Sequence, residues 1–132
     1  MKNNARLTPF LGAAVLLLLL HVPAWAGPEV DHSGVWESYS NMSRVEVHLT
    51  QEGEEINGVA YVYGCFGGSS TYHFSGTYRN GVIFATHHKG HRFVGEFDSP
   101  TEAHGMLTTA VRKMTINLTA KKIREFNEPA EE

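Results

Sequence analysis

Residues 44–64 read RVEVHLTQEGEEINGVAYVYG, and this stretch decides the fold. Val45, Val47 and Leu49 alternate with polar neighbours, which is the period-two pattern of a strand buried on one face. The polar EGEE segment contains a glycine, as a tight turn often does, and apolar residues resume at Ile56. The stretch therefore predicts two strands joined by a short turn.

The same pattern repeats along the chain at intervals of about ten residues. Turn residues separate the segments, among them Gly64 to Ser70, Lys89-Gly90 and the pair Asn80-Gly81, which is typical of a tight hairpin. Eight strands are predicted in this way, at residues 33–40, 44–51, 56–64, 71–78, 82–87, 91–98, 103–109 and 114–122.

These strands predict an all-β fold. Eight consecutive strands with short connections favour an antiparallel up-and-down meander closed into a small barrel, because an open sheet would leave two edges unpaired. A β-sandwich is the alternative. The interior of an eight-stranded barrel is either filled by side chains or holds one small ligand. Alternation indicates which residues share a face, but it does not indicate which face points inward.

The beginning of the chain has the pattern of a signal peptide. Lys2 and Arg6 precede an apolar run that ends at Leu20, and Ala24-Trp25-Ala26 presents small residues where signal peptidase reads them. The run is shorter than the roughly 20 residues that a membrane-spanning helix needs. We expect cleavage after Ala26 and a periplasmic or secreted protein that is no longer attached to the membrane. The predicted organisation is a signal peptide at 1–26, a barrel domain at 27–124 and a disordered acidic tail at 125–132.

Composition limits the partners and the compartment. The formal net charge is −3 with histidine neutral, and no long basic run is present. Binding to nucleic acid or to an anionic membrane is therefore not expected. Cys65 is the only cysteine, so no internal disulfide can form, and a bacterial periplasmic setting is favoured. We expect Cys65 to be a small buried residue; a free thiol and an intermolecular disulfide are the alternatives.

Several segments carry a family resemblance. Gly34-Val35-Trp36 opens the first predicted strand, and a glycine stands between aromatic residues in 72–78 and in 92–97. In these features the chain resembles the calycin barrels, meaning lipocalins and avidins, over nearly the whole predicted mature domain. The resemblance implies a barrel with one open end and a cavity. Avidins enclose biotin in a cage of several tryptophans, whereas the predicted mature chain has only Trp36, so biotin binding is not implied.

Aromatic residues on neighbouring strands are the first candidate site. Tyrosine and phenylalanine can line an apolar pocket, and a hydroxyl or an imidazole can fix the polar group of a ligand. The predicted function is therefore an exported, non-enzymatic barrel that binds a small apolar or amphipathic molecule; a filled core is the alternative reading of the same residues. The predicted ligand-binding residues are Trp36, Tyr61, Tyr63, Tyr72, His73 and Phe74, with His73 or His87 as the polar group.

Histidines at one turn are the second candidate. His87 and His91 bracket a predicted hairpin turn and can approach each other across it. Neutral imidazole is the commonest transition-metal ligand, so a periplasmic metal-binding protein is the alternative function; a solvated polar turn is the other interpretation. His88 adjoins His87, and in a regular strand its side chain would point to the opposite face. No other cofactor is expected.

Catalysis is not expected, because the chain has no nucleophile elbow or other recognisable catalytic serine motif. A third hypothesis is a protein-interaction or inhibitor module that uses the loops at one end of the barrel. Its contact would involve the glycine-rich segment 64–70. A homo-oligomer or a protein partner stays open at this point.

Overall fold

A computed structural model describes residues 30–40 and 43–126. These residues form eight strands and no helix. The strands are β1 (Gly34–Ser40), β2 (Ser43–Glu52), β3 (Glu55–Gly64), β4 (Ser69–Arg79), β5 (Val82–His87), β6 (Arg92–Ser99), β7 (Glu102–Thr108) and β8 (Thr115–Arg124). All eight predicted strands are confirmed.

The sheet is a closed meander. Each strand pairs antiparallel with the next, and β1 pairs antiparallel with β8, which closes the barrel. The predicted barrel is confirmed, and the β-sandwich alternative is wrong. The predicted signal peptide and residues 127–132 of the predicted tail lie outside the described residues. Within the described ranges, no helix is long and apolar enough to cross a membrane.

The strand register identifies the inward face. Trp36 lies opposite Val47, and Val47 lies opposite Ala60. The residues of the buried core share this parity in their strands, and they are Trp36, Leu49, Ile56, Ile83, Ala85 and Ala103. The intervening residues form the outer wall of the barrel.

The two ends of the barrel differ. At the closed end, where β1 begins and β8 ends, His32 covers the interior, and the inward residues Leu49, Ile56 and Ile83 are buried. At the open end, where β1 ends and β8 begins, lie the turns at 65–68, 88–91 and 109–114. Inward-facing apolar residues near these turns are partly exposed. Among residues 30–40 and 43–126, a cover over the interior is therefore seen at the closed end only.

Aromatic packing seals the closed end. The His32 ring stacks on Phe97 with the ring centroids 3.6 Å apart, and Tyr78 meets the same ring edge-on at 5.4 Å. The Trp36 indole Nε1 donates a hydrogen bond to the His32 carbonyl at 3.0 Å. His32 in turn donates its backbone N–H to the Gln51 side-chain oxygen at 3.0 Å. These contacts hold His32 across the closed end of the barrel.

Two phenylalanine rings fill the middle of the barrel. A Cβ atom at Gly58 would lie 2.5 Å from the Phe74 ring, and a Cβ atom at Gly105 would collide with the Phe93 ring. Both rings pack against the buried core. The glycines thus provide the space that the two rings occupy in the middle of the barrel.

Cys65 lies exposed in the turn after β3. The prediction that it is buried is wrong. Hydrogen bonds from the Gly64 and Gly67 backbone nitrogens close this turn on itself at the rim of the barrel, and Cys65 therefore does not enter the core.

Candidate functional site

We call the inward-facing surface at the open end the cup. Four inward-facing apolar side chains of β2, β3, β7 and β8 line it, and all four are partly exposed: Val45, Val62, Leu107 and Ile116. Phe93 lies opposite Leu107, and with Phe74 it forms the floor. These four positions have the same parity as the core, although the closed-end cover does not reach them.

Three rings stand at the rim of the cup. Their centroids are 5.3 Å apart for Tyr72 and His87, 5.8 Å for Tyr72 and His91, and 5.5 Å for His87 and His91. We call Tyr72, His87 and His91 the rim triad. The predicted approach of the two histidines across the turn is confirmed. The turn is held by the His87 N–H, which donates to the His91 carbonyl at 3.0 Å.

The backbone determines the protonation pattern of both rim imidazoles. The Lys89 N–H donates to His87 Nδ1 at 3.3 Å, and the Ala110 N–H donates to His91 Nδ1 at 3.1 Å. An Nδ1 atom that accepts a hydrogen bond carries a lone pair, so the proton of the neutral ring is on Nε2. Burial, followed by the charges of His88 and His91, lowers the pKa of His87 and favours its neutral form. Each ring therefore offers one Nε2–H donor.

This arrangement bears on the predicted metal site. A metal ion on His87 and His91 needs an unprotonated nitrogen on each ring, but both Nδ1 lone pairs already accept backbone hydrogen bonds. Binding through Nε2 would move each proton to Nδ1 and break those bonds. The His88 ring lies 4.2 Å from the His87 ring, closer than strand alternation predicts, because His88 belongs to the turn and not to β5. The metal site stays a prediction.

A second group with metal-ligand chemistry lies on the outer wall. Glu96, Asp98 and His104 bring one ligand atom each within 4.8 Å of one another, and all three are exposed. The Asp98 carboxylate accepts a hydrogen bond from His104 Nδ1 at 2.8 Å and raises the pKa of that imidazole. Sequence reasoning missed this group because its members come from β6 and β7 and meet only through the strand register. We assign it to an exposed hydrogen-bonded network.

The predicted ligand-binding residues separate into two sets. Tyr72 and Phe74 face inward at the rim and floor of the cup, close to His87. Trp36 also faces inward, but it is buried at the closed end. Tyr61, Tyr63 and His73 lie on the outer wall, because they alternate with the inward residues of β3 and β4.

The outer tyrosines take part in a polar network. The Arg44 guanidinium lies 4.5 Å above the Tyr63 ring and 3.3 Å from a Glu46 carboxylate oxygen. His48 Nε2 lies 2.7 Å from the other Glu46 oxygen, and this contact, followed by that of Arg44, lowers the pKa of Glu46. The edge of the His48 ring packs against Tyr61. Both tyrosines of β3 therefore have charged or imidazole partners on the outer wall.

Comparisons of this chain with protein-family models, with curated proteins and with solved structures gave no match. Function must therefore be inferred from the chemistry of the cup and its rim. The cup residues that sequence reasoning missed are Val45, Val62, Leu107 and Ile116. Their alternation was visible, but the sequence does not distinguish the closed end from the open end.

Proposed function

We propose that this protein binds a small apolar or amphipathic molecule in the cup at the open end and does not catalyse a reaction. One observation carries the proposal. Leu49, Ile56 and Ile83 are buried toward the closed end, whereas Val45, Val62, Leu107 and Ile116 stay partly exposed at the open end. When a ligand covers apolar surface that was in contact with water, the binding free energy becomes more favourable by about 25 cal/mol for each Å² covered.

The position of the floor limits the size of the ligand. Phe74 and Phe93 occupy the middle of the barrel, so a ligand enters only the open half. A short alkyl chain or a single ring suits this space better than an extended lipid does. The eight-stranded barrel with one open end is also compatible with the resemblance to calycin barrels, a family in which small-molecule binding is common.

Polar groups at the rim support an amphipathic ligand. The rim triad places two imidazole N–H groups and a phenol beside the apolar wall. A few polar groups at the edge of an apolar pocket commonly orient a bound molecule. A transition metal at the same histidines is the competing proposal, and it would require rearrangement of both backbone hydrogen bonds.

Filling the cup tests this function. Val62 faces into the cup, whereas Val59 on the same strand faces the outer wall. We expect octanol to bind the wild-type protein and V59W, and to bind V62W at least about ten-fold more weakly, because the indole occupies the ligand volume. Calorimetric titration measures the affinities, and thermal unfolding checks that both variants fold. Equal affinity of V59W and V62W for octanol would contradict binding in the cup.

A further inference from the structure

We infer that the cup selects a ligand with an anionic head group, of the carboxylate class, which lies at the rim against His87 and His91. The inference rests on the proposed function and adds the chemistry of the ligand's polar end. Two independent observations carry it: the hydrogen-bonding state of the rim imidazoles and the distribution of charge around the open end.

The rim imidazoles act as donors. Backbone N–H groups of Lys89 and Ala110 occupy both Nδ1 atoms, which leaves an Nε2–H on each ring. Neither Nε2 atom has a hydrogen-bond partner among the described residues, and neither is buried. Two such donors on rings 5.5 Å apart suit a group with two acceptor oxygens. A ligand cation or a donor-only head group finds no acceptor on these rings.

The charge around the open end has one sign. Its three described turns, at 65–68, 88–91 and 109–114, contain Lys89, Arg112 and Lys113 and no acidic residue. All three basic residues are exposed. The chain as a whole is acidic, with a formal net charge of −3, so this local excess is opposite to the overall balance. Positive turns around a concave site raise the local concentration of anions and speed their association.

Two other charged groups do not cancel the positive charge of these turns. Arg44 lies near the open end on the outer wall, but Glu37 and Glu46 neutralise it there, each at 3.3 Å. The exposed acidic group formed by Glu96, Asp98 and His104 lies toward the closed end of β6 and β7. The positive turns therefore face the cup entrance without an acidic neighbour in those turns.

Three probes with the same alkyl chain separate the head-group inference from the proposed function. Octanoate, octanol and octylammonium are titrated into the protein produced from its complete coding sequence, at constant pH and ionic strength. We expect the affinity for octanoate to be at least about ten-fold higher than that for octanol, because a hydrogen bond to a charged acceptor is stronger than one to a neutral acceptor. Octylammonium is expected to bind most weakly.

Variants of the rim locate the head group. H87F and H91F retain an aromatic ring and lose the Nε2–H, so each is expected to bring octanoate affinity to within about three-fold of that of octanol. H73F removes an imidazole from the outer wall and serves as the matched control, with no change expected. The triple variant K89Q/R112Q/K113Q changes only exposed turn residues. It is expected to weaken octanoate binding and to reduce its dependence on salt.

Each outcome decides between the hypotheses. Equal binding of octanoate and octanol to the wild-type protein would overturn the anionic head group and leave the cup intact. Loss of octanoate preference in H73F as strongly as in H87F would overturn the role of the rim. Absence of binding by all three probes would contradict the proposed function itself, and with it this inference.

Discussion

At the scale of single residues, His32 carries the clearest physical conflict. This residue is 5% exposed, and its Nδ1 atom is buried without a hydrogen-bond partner among the described residues. Burial, followed by the positive charge of Lys122, lowers the pKa of this imidazole, while Asp31 raises it less. Stacking on Phe97 and the two backbone hydrogen bonds hold the ring in place despite this cost.

His32 therefore makes stability depend on pH. In the unfolded chain it binds a proton near pH 6.5, whereas the folded protein binds that proton only at lower pH. As pH falls below about 6.5, the unfolded state gains protons first, so this residue's contribution to stability decreases until the folded pKa is reached. H32F keeps the stacking ring and cannot be protonated. We therefore expect acid to destabilise H32F less than it destabilises the wild-type protein. Denaturant unfolding at several pH values measures the free energy of unfolding of both.

The exposed His104 provides a control of opposite sign. Its hydrogen bond to Asp98 raises its pKa, so its contribution to stability is present below about pH 6.5 and is lost as pH rises through the folded pKa. H104F should therefore lower stability on the acid side, whereas H32F should raise it relative to the wild-type protein. Identical pH profiles for H32F and the wild-type protein would show that His32 is not the buried titrating group.

At the scale of strands, close packing between glycines and rings sets where the core ends. Gly105 on β7 faces the Phe93 ring, and its missing Cβ would also contact backbone atoms of Val94 and Gly95. Backbone cannot move aside as a side-chain tip does. Ala at this position therefore forces the wall or the ring to shift, and the floor of the cup shifts with it.

We expect G105A to lower the free energy of unfolding by about 1–3 kcal/mol, as overpacking of a core does. G64A is the matched control, because a Cβ there meets its nearest atom at an ordinary contact distance of 3.7 Å. Chemical denaturation of both variants measures the difference. If G105A were as stable as G64A, the Phe93 ring would not lie against Gly105.

Strand-scale features were predictable from the sequence to different degrees. Alternation and turn residues located all eight strands, because both signals are local. Which face of each strand points into the barrel was not predictable, because alternation shows only which residues share a face. For this reason the sequence predicts a shared pocket for Tyr61, Tyr63 and Tyr72, although Tyr61 and Tyr63 lie on the outer wall. The approach of His87 and His91 was predictable because a hairpin turn connects them.

At the scale of the whole molecule, the chain builds a barrel with two unlike ends. The closed end is sealed by residues that precede the first strand, and the open end collects the turns with Lys89, Arg112 and Lys113. Neither property can be read from a single segment. The three basic residues come from turns that are distant in sequence, and only the meander brings them to the same end. The candidate site depended on this global arrangement and was only partly visible in the sequence.

Native mass spectrometry of the untagged protein, purified gently from its own host, tests the central claim most directly. We predict a retained organic acid of small molecular mass that organic solvent removes and that V62W does not retain, because its indole fills the cup. A bare protein under these conditions, or an added mass that matches a metal ion and disappears with chelator, would contradict binding of an amphipathic molecule in the cup.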